Sequence, residues 1–342
     1  MMKIVVTSDW QLSQNPRDAY RLEFLYWLRN DIIRERNIKL LLFCGDLTEE
    51  KEGFGAEFVN HIARWFNKLP CPAVFIVGNH DYVDQDLPFF RFLRYVSKAE
   101  LSFIEKPTFS DHISNLLTSA LYLPYTRDYK RDWQRVLPDE LARTKLIFTH
   151  NTFSGAISES GIALDGIPIS AMPKTVRIFA GDVHVPQTLG NIVYVGAPYT
   201  VDFGDKFAGR VLVLDYRDAD HFVSESVLYP GPQKRLVEIA SLTDLNKIRR
   251  PTDDIYKVRF QQADRAKVAS TWRAIKEWAE KNSVNVQSIE AAGFERRVPA
   301  SARTDLRSPQ SDEQTMRDFG QRYSVEQKTL DVGLGIVRGD KT

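Results

Sequence analysis

Five short apolar runs, each breaking off into a carboxylate, an amide or an imidazole, constrain this chain more than any other feature. They read KIVVTSDW (3–10), KLLLFCGD (39–46), AVFIVGNHD (73–81), KLIFTHN (145–151) and RIFAGDVH (177–184). Each is too short for a helix, rich in β-branched and aromatic residues, and closed by turn-forming residues, which is the pattern of a buried strand. Between the first two runs, Leu22, Leu25, Leu28 and Ile32 form a helical stripe across Tyr20–Arg36. Between the second and third, Phe58, Ile62, Trp65, Phe66 and Leu69 repeat it before Pro70. Nearly continuous apolar strands alternating with amphipathic helices predict an α/β fold whose sheet is buried on both faces. SALYLPY (119–125), NIVYVGAPY (191–199), RVLVLDY (210–216) and HFVSESVLY (221–229) read as further strands.

After Tyr229, PGPQKR (230–235) has the composition of a linker, and a smaller unit follows. Ile255–Phe260, Arg265–Lys281 and Val284–Ile289 predict a β-α-β module, with Trp272 and Trp278 in its core. Arg296–Pro309 is polar, and Asp312–Val337 recovers a patchy helical pattern through Met316, Phe319, Tyr323, Leu330 and Leu334. The expected organisation is therefore a main domain over 1–229, a small domain over 230–295, and a linker with a helical tail over 296–342.

Composition excludes several classes. The 342 residues are 43% hydrophobic and 27% charged, a globular balance, and no apolar run approaches a membrane span. The N-terminus lacks the features of a signal peptide. Cys44 and Cys71 are the only cysteines, so neither a disulfide framework nor a CxxC zinc site is available. A cytoplasmic, reduced setting is expected. Residues 231–342 carry 21 Lys and Arg against 16 Asp and Glu, so the back of the chain is mildly basic within a net charge of +1.

The strand ends carry the chemistry. In order they present Asp9 and Gln11, then Asp46, then Asn79 and His80, then His150, then Asp182 and His184. Parallel strands of an α/β sheet end on a common edge, where ligands collect. Taken singly, Asp9 or Asp46 suits a helix cap, Asn79 a turn, and His150 ordinary packing. Taken together, in order and each at a strand end, they predict one polyvalent site.

This order resembles that of the calcineurin-like metallophosphoesterases, whose pattern D-x-H, GD, GNH[DE], H, GH-x-H stands here as DWQ, GDLTEE, GNHD, THN and GDVH. GDVHVPQTLGNIVYVGAPYTVDFGD and THNTFSGA resemble, more narrowly, the SbcD-type DNA repair nuclease subunits. The resemblance implies a four-layer metallophosphoesterase β-sandwich flanked by helices, with a small β-α-β cap that contacts DNA and a helical C-terminal tail. It implies a DNA exonuclease and endonuclease working by a two-metal mechanism, with two divalent ions, Mn²⁺ first and Mg²⁺, Fe²⁺ or Zn²⁺ as alternatives. One ion would take Asp9, Gln11, Asp46 and His184; the other would take Asp46, Asn79, His150 and Asp182. His80 would act on the leaving oxygen. The implied partners are DNA, an SbcC-type SMC-like ATPase docked on the tail, and a second copy of the chain through helices near Phe58–Leu69 or Leu87–Val96, with no membrane.

Two letters depart from the family pattern. Its first histidine is Gln11 here, and the first histidine of GH-x-H is Asp182, so each ion position changes one donor from nitrogen to oxygen. Glu49, three residues after Asp46, suits either a second layer around the metals or the start of a helix, and the helix start is the expected role. Lys206, Arg296 and Arg297 are candidate phosphate contacts. Two other functions stay open: a metallophosphoesterase weakened to a DNA- or ATPase-binding scaffold, and a phosphatase or cyclic-nucleotide phosphodiesterase for small substrates.

Overall fold

The computed structural model describes residues 2–84, 87–112, 117–133, 136, 138–261 and 265–292. All five motif-bearing runs form strands: β1 (Met2–Thr7), β2 (Leu40–Phe43), β3 (Ala73–Ile76), β9 (Leu146–Thr149) and β10 (Arg177–Ala180). The intervening strands are β4 (Tyr82–Asp84), β5 (Leu87–Pro88), β6 (Leu101–Ile104), β7 (Thr108–Phe109) and β8 (Ala120–Leu123). They are followed by β11 (Gln187–Leu189), β12 (Ile192–Tyr194), β13 (Arg210–Asp218) and β14 (His221–Leu228).

These strands build two six-stranded sheets and a small hairpin. The first sheet runs β14-β13-β1-β2-β3-β6 and the second β11-β12-β10-β9-β8-β7, while β4 pairs only with β5. In the first, β1, β2, β3 and β6 are parallel; in the second, β8, β9, β10 and β12 are parallel. The strands looked continuously apolar because both faces of each sheet are covered. Ile4, Val6, Leu40, Leu42, Val74 and Ile76 point between the sheets and meet Tyr122, Leu146, Phe148 and Phe179. Their neighbours Val5, Leu41, Phe43 and Phe75 point the other way, onto the helices. The outer face of the second sheet, through Leu121, Ile147, Ile178 and Ala180, is covered by Phe153, Ile167 and flanking loops. Helices, sheet, sheet and outer cover make the four layers of the expected fold.

The helices on the first sheet follow the predicted stripes. Helix α1 (Tyr20–Trp27) continues as a π-helix over Leu28–Arg34, which still buries Leu28, Ile32 and Ile33. Helix α2 (Ala56–Asn67) buries Phe58, Ile62, Trp65 and Phe66 on one face.

Further along, β15 (Lys234–Ile239), β16 (Ile255–Gln261) and β17 (Asn285–Ala292) form a three-stranded sheet, with a helix at Arg265–Lys281. The expected β-α-β elements are there, but PGPQKR is not wholly a linker. Lys234 and Arg235 already belong to β15, which runs parallel to β16. Trp272 is also not core: it is 40% exposed, with the Lys276 ammonium 4.1 Å from its ring centroid. Residues 1–260 with 269–290 form one compact unit, and the features described below all belong to it. The expected tail lies outside the described residues. Among the described residues, no helix is long and apolar enough to cross a membrane.

Candidate metal centre

The loops after β1 and β2 are stitched side by side. Asp9 N donates to Gly45 O (2.9 Å), Gln11 N to Asp46 O (3.1 Å) and Leu12 N to Leu47 O (2.9 Å). Trp10 anchors this stitch: its buried ring packs among Phe24, Phe43 and Trp65, and its carbonyl accepts the Tyr199 hydroxyl. With Trp10 turned inward, Asp9 and Gln11 on either side are held in the site. Among the described residues, seven non-glycine residues have positive φ. Four of them are candidate ligands: Asp9 (53°), Gln11 (43°), Asp46 (62°) and Asp182 (77°). Such backbone costs about 1–3 kcal/mol per residue and persists where the surroundings enforce it, as they do around functional sites.

His150 is the hub. Its buried ring donates from Nδ1 to Cys44 O (2.5 Å), tying the second sheet to the first and turning Nε2 into the cluster. Around Nε2 lie Asn79 Oδ1 at 3.0 Å, Asp46 Oδ1 at 3.2 Å and Asp182 Oδ1 at 3.7 Å. Close approach is possible because the flanking residues lack side chains. A Cβ on Gly78 would lie 2.3 Å from Asp46 Oδ1, and one on Gly181 would lie 2.0 Å from Ser8 Oγ and 2.7 Å from His150 Nδ1.

The electrostatics are those of a cation site. Burial opposes charge on His150, yet the Asp46, Asp9 and Asp182 carboxylates outweigh it and raise the imidazole well above its ordinary pKa. Burial also works against Asp46, but the neighbouring His150 and the His80 amide hold that carboxyl low. Asp9 is fully buried, and burial pushes its pKa up to about 6. Its Oδ1 accepts from Asp182 N (3.2 Å), while its Oδ2 has no hydrogen-bond partner. An orphaned, buried carboxylate oxygen is costly unless a proton or a cation answers it. Asp9, Asp46 and His150 each offer a ligand atom within 4.8 Å of the others.

Asn79 fits the same reading. With Nε2 of His150 unprotonated, its amide oxygen faces only acceptors, an arrangement that a cation among them stabilises. Turned over, its nitrogen would instead donate to both Asp46 oxygens (3.1 and 3.2 Å) and to His150 Nε2 (3.0 Å). The donor set is two carboxylates, an amide oxygen and an imidazole nitrogen. It suits a hard or borderline divalent ion such as Mn²⁺ or Mg²⁺.

Four candidates sit differently. Gln11 presents nitrogen to the cluster, with Nε2 donating to Asp46 Oδ2 at 2.8 Å. His184 stands at the margin, its Nδ1 3.3 Å from Glu159 Oε1. Asp182 reaches His150 with one oxygen while the other accepts the Thr152 hydroxyl (2.5 Å). His80, at the rim and half-buried, donates its backbone N–H to Asp46 Oδ1 (2.9 Å), and its Nδ1 lies 2.7 Å from Glu49 O.

The profile of the calcineurin-like phosphoesterase family matches residues 2–186, more than half of the chain. The chain belongs to the calcineurin-like phosphoesterases. No curated protein matches it significantly. Among solved structures it is similar to GAP50, the anchor in the inner membrane complex of Plasmodium, at 10% identity over 66% of this chain and 84% of that one, with a TM-score of 0.40.

As a calcineurin-like phosphoesterase, the chain carries supports that the motif letters did not assign. Asp81, the last letter of GNHD, is buried and accepts from Gly78 N (2.7 Å), Leu47 N (2.9 Å) and Asp46 N (3.0 Å). It thereby joins two ligand loops, and burial followed by Asp46 raises its pKa to about 6. Buried Arg21 donates to Gln11 O (2.5 Å) and Glu49 Oε2 (2.7 Å). Glu49 therefore does not start a helix: its carboxylate pairs with Arg21 and its carbonyl holds His80, while α2 begins only at Ala56. Lys206 is exposed, and Arg296 and Arg297 lie outside the described residues.

Proposed function

We propose that this chain is a divalent-metal-dependent phosphodiesterase whose substrate is DNA. The observation that carries the hydrolytic part is the convergence of Asp9, Asp46, Asn79 and His150 from both sheets around a buried, unpartnered carboxylate oxygen. A divalent ion bound there supplies Lewis acidity, lowering the pKa of water and neutralising charge on phosphoryl oxygens. His80 takes the other role. With Nδ1–H donating to the Glu49 carbonyl (2.7 Å), the ring is fixed at the rim, and its Nε2 is the atom that would give a proton to the departing oxygen. Arg21 keeps the Gln11 loop and Glu49 in register behind it.

The DNA part rests on the SbcD-type motifs after the last ligand pair and on the added β-α-β elements, which a small substrate would not need. An SbcC-type ATPase bound by residues 296–342, and a dimer through Phe58–Leu69 or Leu87–Val96, belong to the same proposal. Mn²⁺ is the proposed ion. A second reading, a site weakened to a binding scaffold, is favoured by one observation: Gln11 and His184 are engaged with Asp46 and Glu159.

End-labelled linear duplex incubated with EDTA, Mg²⁺ or Mn²⁺ separates these readings, beside an Asn79→Ala, His80→Ala double variant. Cleavage that needs Mn²⁺ and vanishes in the variant is the expected result. Binding of duplex without cleavage under any metal would establish the scaffold instead. Cleavage of aryl phosphodiesters but not of DNA would point to small substrates.

A further inference from the structure

We infer that this centre holds one divalent ion per chain, with the Gln11 amide occupying the place beside Asp46 where a second ion would sit. The inference rests on the metal-centre reading above and refines it. Two ligand atoms at about 2.1 Å from one ion lie about 3.0 Å apart at right angles and about 4.2 Å apart when opposed. The spacings around His150 Nε2, 3.0 Å to Asn79 Oδ1 and 3.2 Å to Asp46 Oδ1, match one shared coordination shell. Asp9 lies beside them, its ligand atom within 4.8 Å of those of both Asp46 and His150. One ion thus uses Asp9, Asp46, Asn79 and His150, and it answers the orphaned Asp9 oxygen.

A second ion would need Asp46 to bridge and a further set of donors on its far side. Both requirements are missing. Asp46 Oδ1, the oxygen 3.2 Å from His150 Nε2, serves the first ion, and Oδ2, which a bridge would need, accepts the Gln11 amide nitrogen at 2.8 Å. That nitrogen is a donor, so it satisfies the carboxylate oxygen with a hydrogen bond and turns the positive end of its N–H dipole toward any second cation. Gln11 is also fixed from behind: its carbonyl accepts from Arg21, its N–H donates to Asp46 O, and its φ is 43°. His184, the remaining nitrogen donor for that position, lies 3.3 Å from the Glu159 carboxylate. A neutral amide offers weaker ligation than imidazole in any case, so the replacement of the family's histidine by Gln11 costs the second position its best donor.

The test is stoichiometry, independent of turnover. The full chain, stripped with chelator, is titrated with Mn²⁺ by calorimetry and by equilibrium dialysis with elemental analysis, and the loaded protein is examined by electron paramagnetic resonance. One ion per chain with the six-line spectrum of isolated Mn²⁺ is expected. Two variants probe the cause: Gln11→His restores a nitrogen ligand, and Gln11→Glu removes the donor and adds a carboxylate. Each should raise binding to two ions with an exchange-coupled spectrum. Two tightly bound, coupled ions in the unaltered chain would overturn the inference while leaving the metal-centre reading intact. Folded variants that both stay at one ion would overturn the role of Gln11. No ion bound to the unaltered chain would overturn the metal centre itself.

Discussion

Asp81 shows what residue-level reading captures and what it misses. GNHD pointed to Asn79 as a ligand and His80 as an acid; Asn79 Oδ1 lies 3.0 Å from His150 Nε2, and His80 sits half-buried at the rim. The following aspartate is assigned no role there, yet it accepts from three backbone N–H groups of two separate loops. Asp81→Asn keeps the shape but turns an amide toward those donors. Leaving a buried N–H unpaired costs about 1–3 kcal/mol, so urea denaturation should show a loss of that size together with weaker Mn²⁺ binding. Arg21 and Glu49 escaped for a related reason: they meet across 28 positions of sequence, and no local pattern announces the pair. Titration belongs to this scale too. Protons on His150, raised well above the ordinary value, and on Asp9, raised to about 6, compete with a metal for the same atoms. Apparent Mn²⁺ affinity should therefore fall as pH drops through neutrality and more steeply below about pH 6, with proton release on binding visible as a buffer-dependent heat. Affinity independent of pH between 5 and 8 would contradict these assignments.

At the scale of elements, the ends of the strands matter more than their interiors. The apolar runs were legible because each buries both faces, so alternation between the two cores, Ile4 and Val6 against Val5, reads as one unbroken hydrophobic string. The periodicity alone read as one sheet; that the strands belong to two is a fact of pairing, which only the family resemblance implied. β15 was hidden because its first residues sit in a Pro-Gly-Pro context that resembles a linker, and its partner lies 21 residues later. The turns have sharper requirements. Gly181→Ala would drive a Cβ to 2.0 Å from Ser8 Oγ and 2.4 Å from Cys44 O, in the seam between the sheets. Overpacking of this kind costs about 1–3 kcal/mol, and chemical denaturation should show it together with reduced metal affinity. An alanine variant that keeps both would mean the seam is looser than described.

For the molecule as a whole, the candidate ligands Asp9, Asp46 and Asn79 follow β1, β2 and β3 in one sheet and His150 follows β9 in the other, so the candidate site needs both sheets docked. A metal held there would couple its binding to folding. Mn²⁺ at a hundred times its Kd should stabilise the chain by about 2.7 kcal/mol, read as a rise in melting temperature that EDTA reverses. The most direct measurement is hydrolysis of an aryl phosphodiester by the metal-stripped chain, before and after Mn²⁺ is restored, beside Asp46→Asn. The account predicts no turnover without metal, recovery with Mn²⁺, and a loss of more than about a hundredfold in the variant, since even residues behind the ligands cost 10–100-fold when changed. Turnover that survives chelation, or an Asp46→Asn chain as active as the original, would contradict it.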